Sequence, residues 1–262
     1  MTFLGIYLVV GLVILVFMTI LWAVSLKLKD TSIVDIFWGA GFVLSGWTVF
    51  ALTPNGFLVR KILIITLLTI WGLRLSIHIL RRNWGKGEDF RYQTWRQEEG
   101  QSWWWKSYIR VFMLQGCLMW VISIPLLGAQ YGEHPDRLVV FDYAGIAIWL
   151  IGFYFEAVGD SQLTRFKANI QNKGKVLDTG VWRYTRHPNY FGDATQWWGY
   201  YLIACASGYF WTIFSPIIMT LFLLRVSGVT LLEKSLKKTK PAYKEYIETT
   251  SSFIPWFPRE KD

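Results

Sequence analysis

Leu177-Asp-Thr-Gly-Val-Trp-Arg-Tyr-Thr-Arg-His-Pro-Asn-Tyr-Phe-Gly-Asp193 is a polar stretch set between two apolar runs. Arg183, Tyr184, Arg186, His187, Asn189, Tyr190 and Asp193 crowd into its second half. Proline is tolerated in the first turn of a helix, where its missing N–H costs little, so the residues after Pro188 read as helical. Asn189 and Asp193 then lie four apart on one face, just past the Arg186-His187 pair. The pattern predicts a polar, cation-rich pocket wall at the mouth of a membrane helix. Such a wall suits a phosphate-bearing ligand.

Outward from that stretch the chain is strongly apolar. It has 262 residues, 53% of them hydrophobic, and a mean hydropathy of +0.31. Length alone permits one or two domains, but the long apolar runs favour one polytopic, all-α membrane domain. The 16 tryptophans and 13 tyrosines suit aromatic belts at two membrane interfaces. Seven transmembrane helices are predicted, at about 3–26, 32–52, 62–80, 111–127, 138–159, 190–206 and 209–232. The first is too long for a removable signal peptide and lacks its basic start. Within this domain, residues 1–130 are expected to supply the substrate-side helices and 138–262 the cofactor-binding half. Cys117 and Cys205 fall in apolar spans and read as small buried hydrophobes, with no metal or disulfide spacing.

The net charge of +9 invites a nucleic-acid reading, but its distribution opposes one. Most of the 27 lysines and arginines fall in the loops after spans one, three and five and in the C-terminal tail. Only Arg60, Lys61 and Arg137 fall on the other side, and Arg74 and Arg225 lie inside spans. By the positive-inside rule the rich side is cytoplasmic, the N-terminus outside and the C-terminus cytoplasmic. The tail Ser235-Leu-Lys-Lys-Thr-Lys-Pro241 suits a membrane surface beside anionic lipid.

Ionisable groups inside membrane spans are costly and commonly face a bundle interior or a wet cavity. Asp35 lies in the second span, and Arg74 and His78 lie four apart in the third. Glu156 and Asp160 lie four apart at the end of the fifth, with Lys167 continuing that face. Each has a bland alternative: Asp35 paired with Arg74 to hold two helices, His78 as a satisfied interior histidine, Glu156 and Asp160 as ion-pair partners near a loop. On the expected topology all of them collect on the cytoplasmic side, so one cytoplasm-facing cavity is the expected site. The basic turn Asn169-Ile-Gln-Asn-Lys-Gly-Lys-Val176 sets Lys173 and Lys175 around a glycine free to take a left-handed backbone. Gly85 and Gly87 are too few for a dinucleotide fingerprint, and no strand precedes them.

Three segments together carry a family resemblance: Phe155-Glu-Ala-Val-Gly-Asp-Ser-Gln-Leu-Thr-Arg-Phe-Lys167, Asn172-Lys-Gly-Lys175 and Gly180-Val-Trp-Arg-Tyr-Thr-Arg-His-Pro-Asn-Tyr-Phe-Gly-Asp193. The chain resembles the DUF1295 family, itself similar to the C-terminal domain of steroid 5α-reductases. Ser227-Gly-Val, Leu232-Glu-Lys234, Tyr243-Lys-Glu-Tyr246 and Phe253-Ile-Pro-Trp256 fit the same pattern. Upstream, Ser32-Ile-Val-Asp35, Glu88-Asp-Phe-Arg-Tyr92 and Gln115 fit it more loosely. The resemblance implies a seven-helix reductase that binds NADPH from the cytoplasm and reduces a carbon–carbon double bond conjugated to a carbonyl in a steroid-like or other lipid. It places cofactor contacts on Asp160, Lys167, Lys175, Asn189, Asp193 and Arg225. Local chemistry adds Glu156, Arg183, Tyr184, Arg186, His187, Tyr190 and Glu233. Steroid reductases hold the carbonyl with a glutamate in the second helix and a tyrosine in the third. Here Asp35 is the counterpart of the glutamate, shorter by one methylene, while His78 and Tyr92 are both candidates for the tyrosine's place.

Two other readings stay open. Isoprenylcysteine carboxyl methyltransferases also carry an Arg-His-Pro-x-Tyr element and a C-terminal Glu followed by Tyr-x-x-Tyr. Arg186 to Tyr190, Glu233 and Tyr243 to Tyr246 fit such a site for S-adenosylmethionine. The extra cations from Lys167 to Lys175 favour NADPH. The third reading is a non-enzymatic lipid-binding membrane protein.

Overall fold

The computed structural model describes residues 1–226, 229, 233 and 243–259. The end of the seventh expected span, the 235–241 basic tail, and parts of the 227–229 and 232–234 motifs lie outside the described residues. All regular structure among the described residues is helical. Four helical segments are long and apolar enough to cross a membrane: Phe3–Leu28, Leu58–Asn83, Phe90–Tyr131 and Val140–Ala168. Trp38–Leu52 and Phe210–Arg225 are shorter apolar helices. The chain is a polytopic, all-α membrane protein, and its residues divide into two compact units.

The first unit comprises Met1–Val139 and Ala204–Thr212. Helix α1 (Phe3–Leu28) starts where the Thr2 hydroxyl accepts from the Gly5 N–H at 3.1 Å, and it ends at Lys29, which takes a left-handed φ of 55°. Ile6, Val10, Ile14, Met18, Leu21 and Ser25 form its buried stripe. Leu4, Leu8, Leu12, Leu15 and Ile20 stay exposed. A helix apolar all round, packed on one face only, is what a lipid solvent requires.

The second expected span is broken. Asp30 Oδ1 accepts from the Ser32 N–H and hydroxyl, which turns the chain. A short helix α2 (Ile33–Ile36) follows, and Phe37, at φ −92° and ψ 5°, separates it from α3 (Trp38–Leu52). Helix α4 (Leu58–Asn83) begins earlier than hydropathy suggests, because its first turn contains two cations that are buried rather than looped out. Lys61 Nζ donates to the carbonyls of Phe50 and Thr53 and so caps the end of α3. Arg60 donates to the carbonyls of Pro135 and Arg137 and to the Ser207 hydroxyl.

A continuous helical run of 42 residues, Phe90–Tyr131, completes the unit. It contains α5 (Phe90–Glu99), α6 (Trp103–Ser107), a wide π-type turn at Tyr108–Met113, α7 (Leu114–Ile122) and α8 (Ile124–Tyr131). Against expectation, Cys117 is exposed, while Cys205 is buried. An apolar helix facing lipid has no need to bury each small side chain, so composition alone misplaces Cys117.

The second unit comprises Val140–Ile203 and Ile213–Asp262. Its main elements are α9 (Val140–Ala168), α10 (Pro188–Cys205), α11 (Phe214–Leu221) and α12 (Tyr243–Thr249). Pro188 is the first residue of α10, as its chemistry requires. Gly145, Gly152 and Gly159 recur every seven residues on α9, and Gly192 and Gly199 do so on α10. An added Cβ at Gly152 would stand 2.6 Å from the Gly192 carbonyl, and one at Gly199 would stand 2.8 Å from the Gly145 carbonyl. The two helices therefore run antiparallel in backbone contact, which only hydrogen at Cα allows.

Candidate functional site

The glycine seam brings polar groups from α9 and α10 face to face. Glu156 (2% exposed) accepts from Gln196 Nε2 at 2.5 Å. Asp160 accepts from Asn189 Nδ2 at 3.3 Å. Asp193, one turn past Asn189, is buried alongside. Five polar side chains thus line one buried face. Gln196 Oε1 has no hydrogen-bond partner among the described residues. A buried carbonyl oxygen without a donor is costly, so the cluster retains capacity for a hydrogen-bonding ligand.

The loop before α10 is held by the C-terminal segment. Arg186 Nη1 donates to the carbonyls of Ile247, at 3.1 Å, and Thr250, and its Nε donates to Glu233 at 2.9 Å. The Arg186 N–H donates to the Ser251 carbonyl, the Thr185 hydroxyl to the Phe253 carbonyl, and the Trp256 N–H to the Tyr184 carbonyl. Tyr246 OH donates to the Trp182 carbonyl. The 251–256 stretch is thus a strap along residues 184–186, and Arg186 is the clasp. That geometry commits Arg186 to the chain's own carbonyls.

His187 Nε2 lies 3.1 Å from Glu233, and its ring stacks on Tyr190. Burial pushes the Glu233 carboxyl up, but hydrogen bonds from His187 and Arg186 and their charges outweigh it and hold it down at about 2. Glu233 is therefore an ionised acceptor at neutral pH. The remaining cations assigned to cofactor binding, Lys167, Lys175, Arg183 and Arg225, are exposed, and so is Tyr184. Next to Lys175, Phe166, Lys167, Asn169, Ile170, Asn172, Lys173 and Gly174 line a cleft of about 350 Å³. Asn172 Nδ2 caps the end of α9 at the Phe166 carbonyl, and Gly174 takes φ +83°, which turns the chain back over the cleft.

The first unit has its own polar cluster. Tyr92 OH donates to Asp35 Oδ1 at 2.9 Å, and Arg91 Nη2 donates to Asp35 Oδ2 at 3.0 Å. Asp35 thus pairs with Arg91 rather than Arg74, because the break before α3 turns it toward α5. Gln115 Nε2 approaches the Tyr92 hydroxyl at 3.5 Å. Asp89 caps α5 by accepting from the Arg91 N–H at 3.0 Å, and it accepts from Arg91 Nε at 2.9 Å. Glu88 fixes the preceding turn, accepting from Arg96 and from the Thr31 N–H. For both Glu88 and Asp89, burial opposes ionisation, but hydrogen bonds and nearby arginines prevail and hold the carboxyls low. Of the two candidates for the tyrosine's place, Tyr92 is hydrogen-bonded to Asp35, while His78 is half-buried on α4.

Two participants were not assigned from the sequence alone. Gln196 was readable in principle, since it follows Asn189 by seven and Asp193 by three on the same helical face. Arg91 stood inside a quoted motif without a role, and nothing local predicts its bond to Asp35.

Membrane-length apolar helices, with one polar cluster in each unit, define a multi-pass membrane protein. The chain belongs to the family described as "Protein of unknown function (DUF1295)", whose model matches residues 21–250. An uncharacterised protein of Schizosaccharomyces pombe is 26% identical over 264 residues, covering 90% of this chain and 76% of that protein. A Delta(14)-sterol reductase of Gibberella zeae is 33% identical over 109 residues, 36% of this chain and 22% of the reductase. A Delta(14)-sterol reductase of Schizosaccharomyces pombe is 34% identical over 104 residues, 34% of this chain and 24% of the reductase. Those two alignments thus span about a third of this chain and under a quarter of each reductase. No solved structure matches.

Proposed function

We propose that the protein is an NADPH-dependent membrane reductase that saturates a carbon–carbon double bond conjugated to a carbonyl in a sterol-like or other lipid. The observation that carries this reading is the buried α9–α10 face, with Glu156, Asp160, Asn189, Asp193 and Gln196, while Lys167 at the end of α9 and Lys175 and Arg183 in the segment joining the two helices are exposed. The similarity to two sterol reductases supports the same class.

The residues present fit the dinucleotide. Carboxylates and amides on the buried face suit ribose hydroxyls and a carboxamide, and Gln196 Oε1 retains an open acceptor. Lys167, Lys175 and Arg183 suit the phosphates, and the lining of the 350 Å³ cleft includes Phe166, Ile170 and two lysines. Arg225 is a further exposed cation of the same unit. Arg186 positions the loop through the C-terminal strap, and His187, Tyr190 and Glu233 support the start of α10. When bound, NADPH supplies the hydride equivalent. The hydrogen-bonded Asp35–Tyr92 pair marks the catalytic, carbonyl end of the lipid, and His78 is assigned a lesser part there. The cofactor side is assigned to the cytoplasm.

The test is binding of NADPH and of S-adenosylmethionine, side by side, to detergent-purified protein. Saturable NADPH binding that is lost in Asp193→Ala and Asn189→Ala, with both variants still folded, is expected. Binding of S-adenosylmethionine alone would turn the Arg186-to-Tyr190 element into a methyltransferase site. Binding of neither would leave a lipid-binding protein.

A further inference from the structure

Tyr92 has one hydroxyl proton, and that proton is committed to Asp35 Oδ1 at 2.9 Å. Its remaining capacity is as acceptor, and Gln115 already points a donor at it. A tyrosine so placed cannot also donate to a carbonyl unless it gives up Asp35. Arg91 differs. Its Nε serves Asp89 and one N–H of Nη2 serves Asp35, while Nη1 has no acceptor among the described residues. Its side chain is 39% exposed, so the guanidinium is not sealed inside the cluster. The guanidinium sits over the Tyr92 ring, its central carbon 5.3 Å from the ring centroid. The charge of Arg82 also acts on both Asp35 and Asp89. A negative oxygen arriving beside Nη1 therefore meets a cationic guanidinium with unused N–H groups.

We propose that Arg91 is a catalytic residue of the carbonyl end: its Nη1 donates to the substrate oxygen that becomes negative during reduction. This inference rests on the reductase reading and refines it. Hydride adds at the β-carbon. The C=C pair then forms a new C=C bond to the carbonyl carbon, and the C=O pair moves onto oxygen. The dinucleotide is oxidised as the lipid is reduced. Arg91 holds the enolate oxygen by a charge-assisted hydrogen bond, stronger than a neutral phenol supplies. A proton from water then adds at the α-carbon and the carbonyl reforms. Asp35 and Asp89 position Arg91 by fixing the other edges of the guanidinium fork.

A chromophoric oxyanion tests this without cofactor. An alkylated para-nitrophenol resembles the enolate, and its ionised form absorbs at longer wavelength. Wild-type protein in detergent is expected to bind the ionised form and to lower the probe's apparent pKa. Arg91→Gln should bind that form at least about 10-fold more weakly, and its turnover of an enone lipid should fall about 100-fold with NADPH affinity unchanged. Tyr92→Phe should keep the ionised-probe signal. If Arg91→Gln fails to fold, Arg91→Lys keeps the charge but not the fork and should lose the signal in part. The proposal is overturned if wild-type protein binds only the neutral phenol, if Arg91→Gln or a folded Arg91→Lys binds the ionised form as tightly as wild type, or if Tyr92→Phe alone abolishes it. Absence of NADPH binding in wild type sinks the reductase reading instead, and the probe reports on the oxyanion site regardless.

Discussion

Gly192→Ala tests the central packing claim. A Cβ at Gly192 falls 2.4 Å from the Glu156 N and 2.4 Å from the Gly152 carbonyl oxygen. Ordinary carbon contacts lie near ~3.5 Å, so α9 and α10 must part by about 1 Å. Both clashing atoms are backbone, so no rotamer change relieves them. The Asn189–Asp160 contact, now 3.3 Å, would then exceed hydrogen-bonding distance, and the 2.5 Å Gln196–Glu156 bond would stretch to its limit. Overpacking costs about 1–3 kcal/mol and each weakened buried bond adds to it, against at most ~1 kcal/mol gained from helix propensity. The expected result is a net loss of about 2 kcal/mol and weakened NADPH binding, read by thermal melts in detergent and by titration. Gly116→Ala is the control, because the atoms nearest its Cβ belong to side chains, Met18 Cγ at 3.2 Å and Ile14 Cγ2 at 3.5 Å, rather than to backbone. It should leave Tm unchanged or slightly raised. A Gly192→Ala protein as stable as wild type, with intact NADPH affinity, would refute the claim that backbone contact sets this site.

The other expectations are briefer. Glu233 is held at about 2 in the folded protein against 4.5 unfolded, so it stabilises the fold above pH 4.5 and the gain is lost as pH falls toward 2. Acid melts should show wild type losing more Tm across that window than Glu233→Gln; parallel curves would remove the role. Arg186→Ala breaks a buried pair and two carbonyl contacts, a loss of about 3 kcal/mol, and should expose the C-terminal segment to limited proteolysis. An unchanged cleavage pattern would mean the strap holds without its clasp. Lys175→Ala should weaken NADPH more than NADH if this lysine reads the 2′-phosphate, and equal losses would deny it that task.

The sequence reading of this chain succeeded where the cause is local. Long apolar runs force helices because lipid supplies no partner for backbone groups, and Pro188 marks a helix start because its ring fits there. The polar character of the 183–193 stretch and the four-residue spacings of Glu156 with Asp160 and of Asn189 with Asp193 were visible for the same reason. The break at Phe37 and the burial of Arg60 and Lys61 were not, because hydropathy averages over windows and cannot say which carbonyls will receive a cation.

Partner choice was decided only in three dimensions. Arg186 looks like a phosphate ligand in sequence, yet Ile247 and Thr250, some sixty residues on, take its Nη1. Asp35 faces Arg91 and Tyr92 across more than fifty residues rather than a cation of its neighbouring span. The seven-residue glycine repeats bear the α9–α10 contact, but their meaning depends on which helix comes to lie opposite. Composition and periodicity act along one segment and so determine helices and their apolar faces. A hydrogen-bond partner depends on the distance between segments far apart in the chain, which packing alone sets.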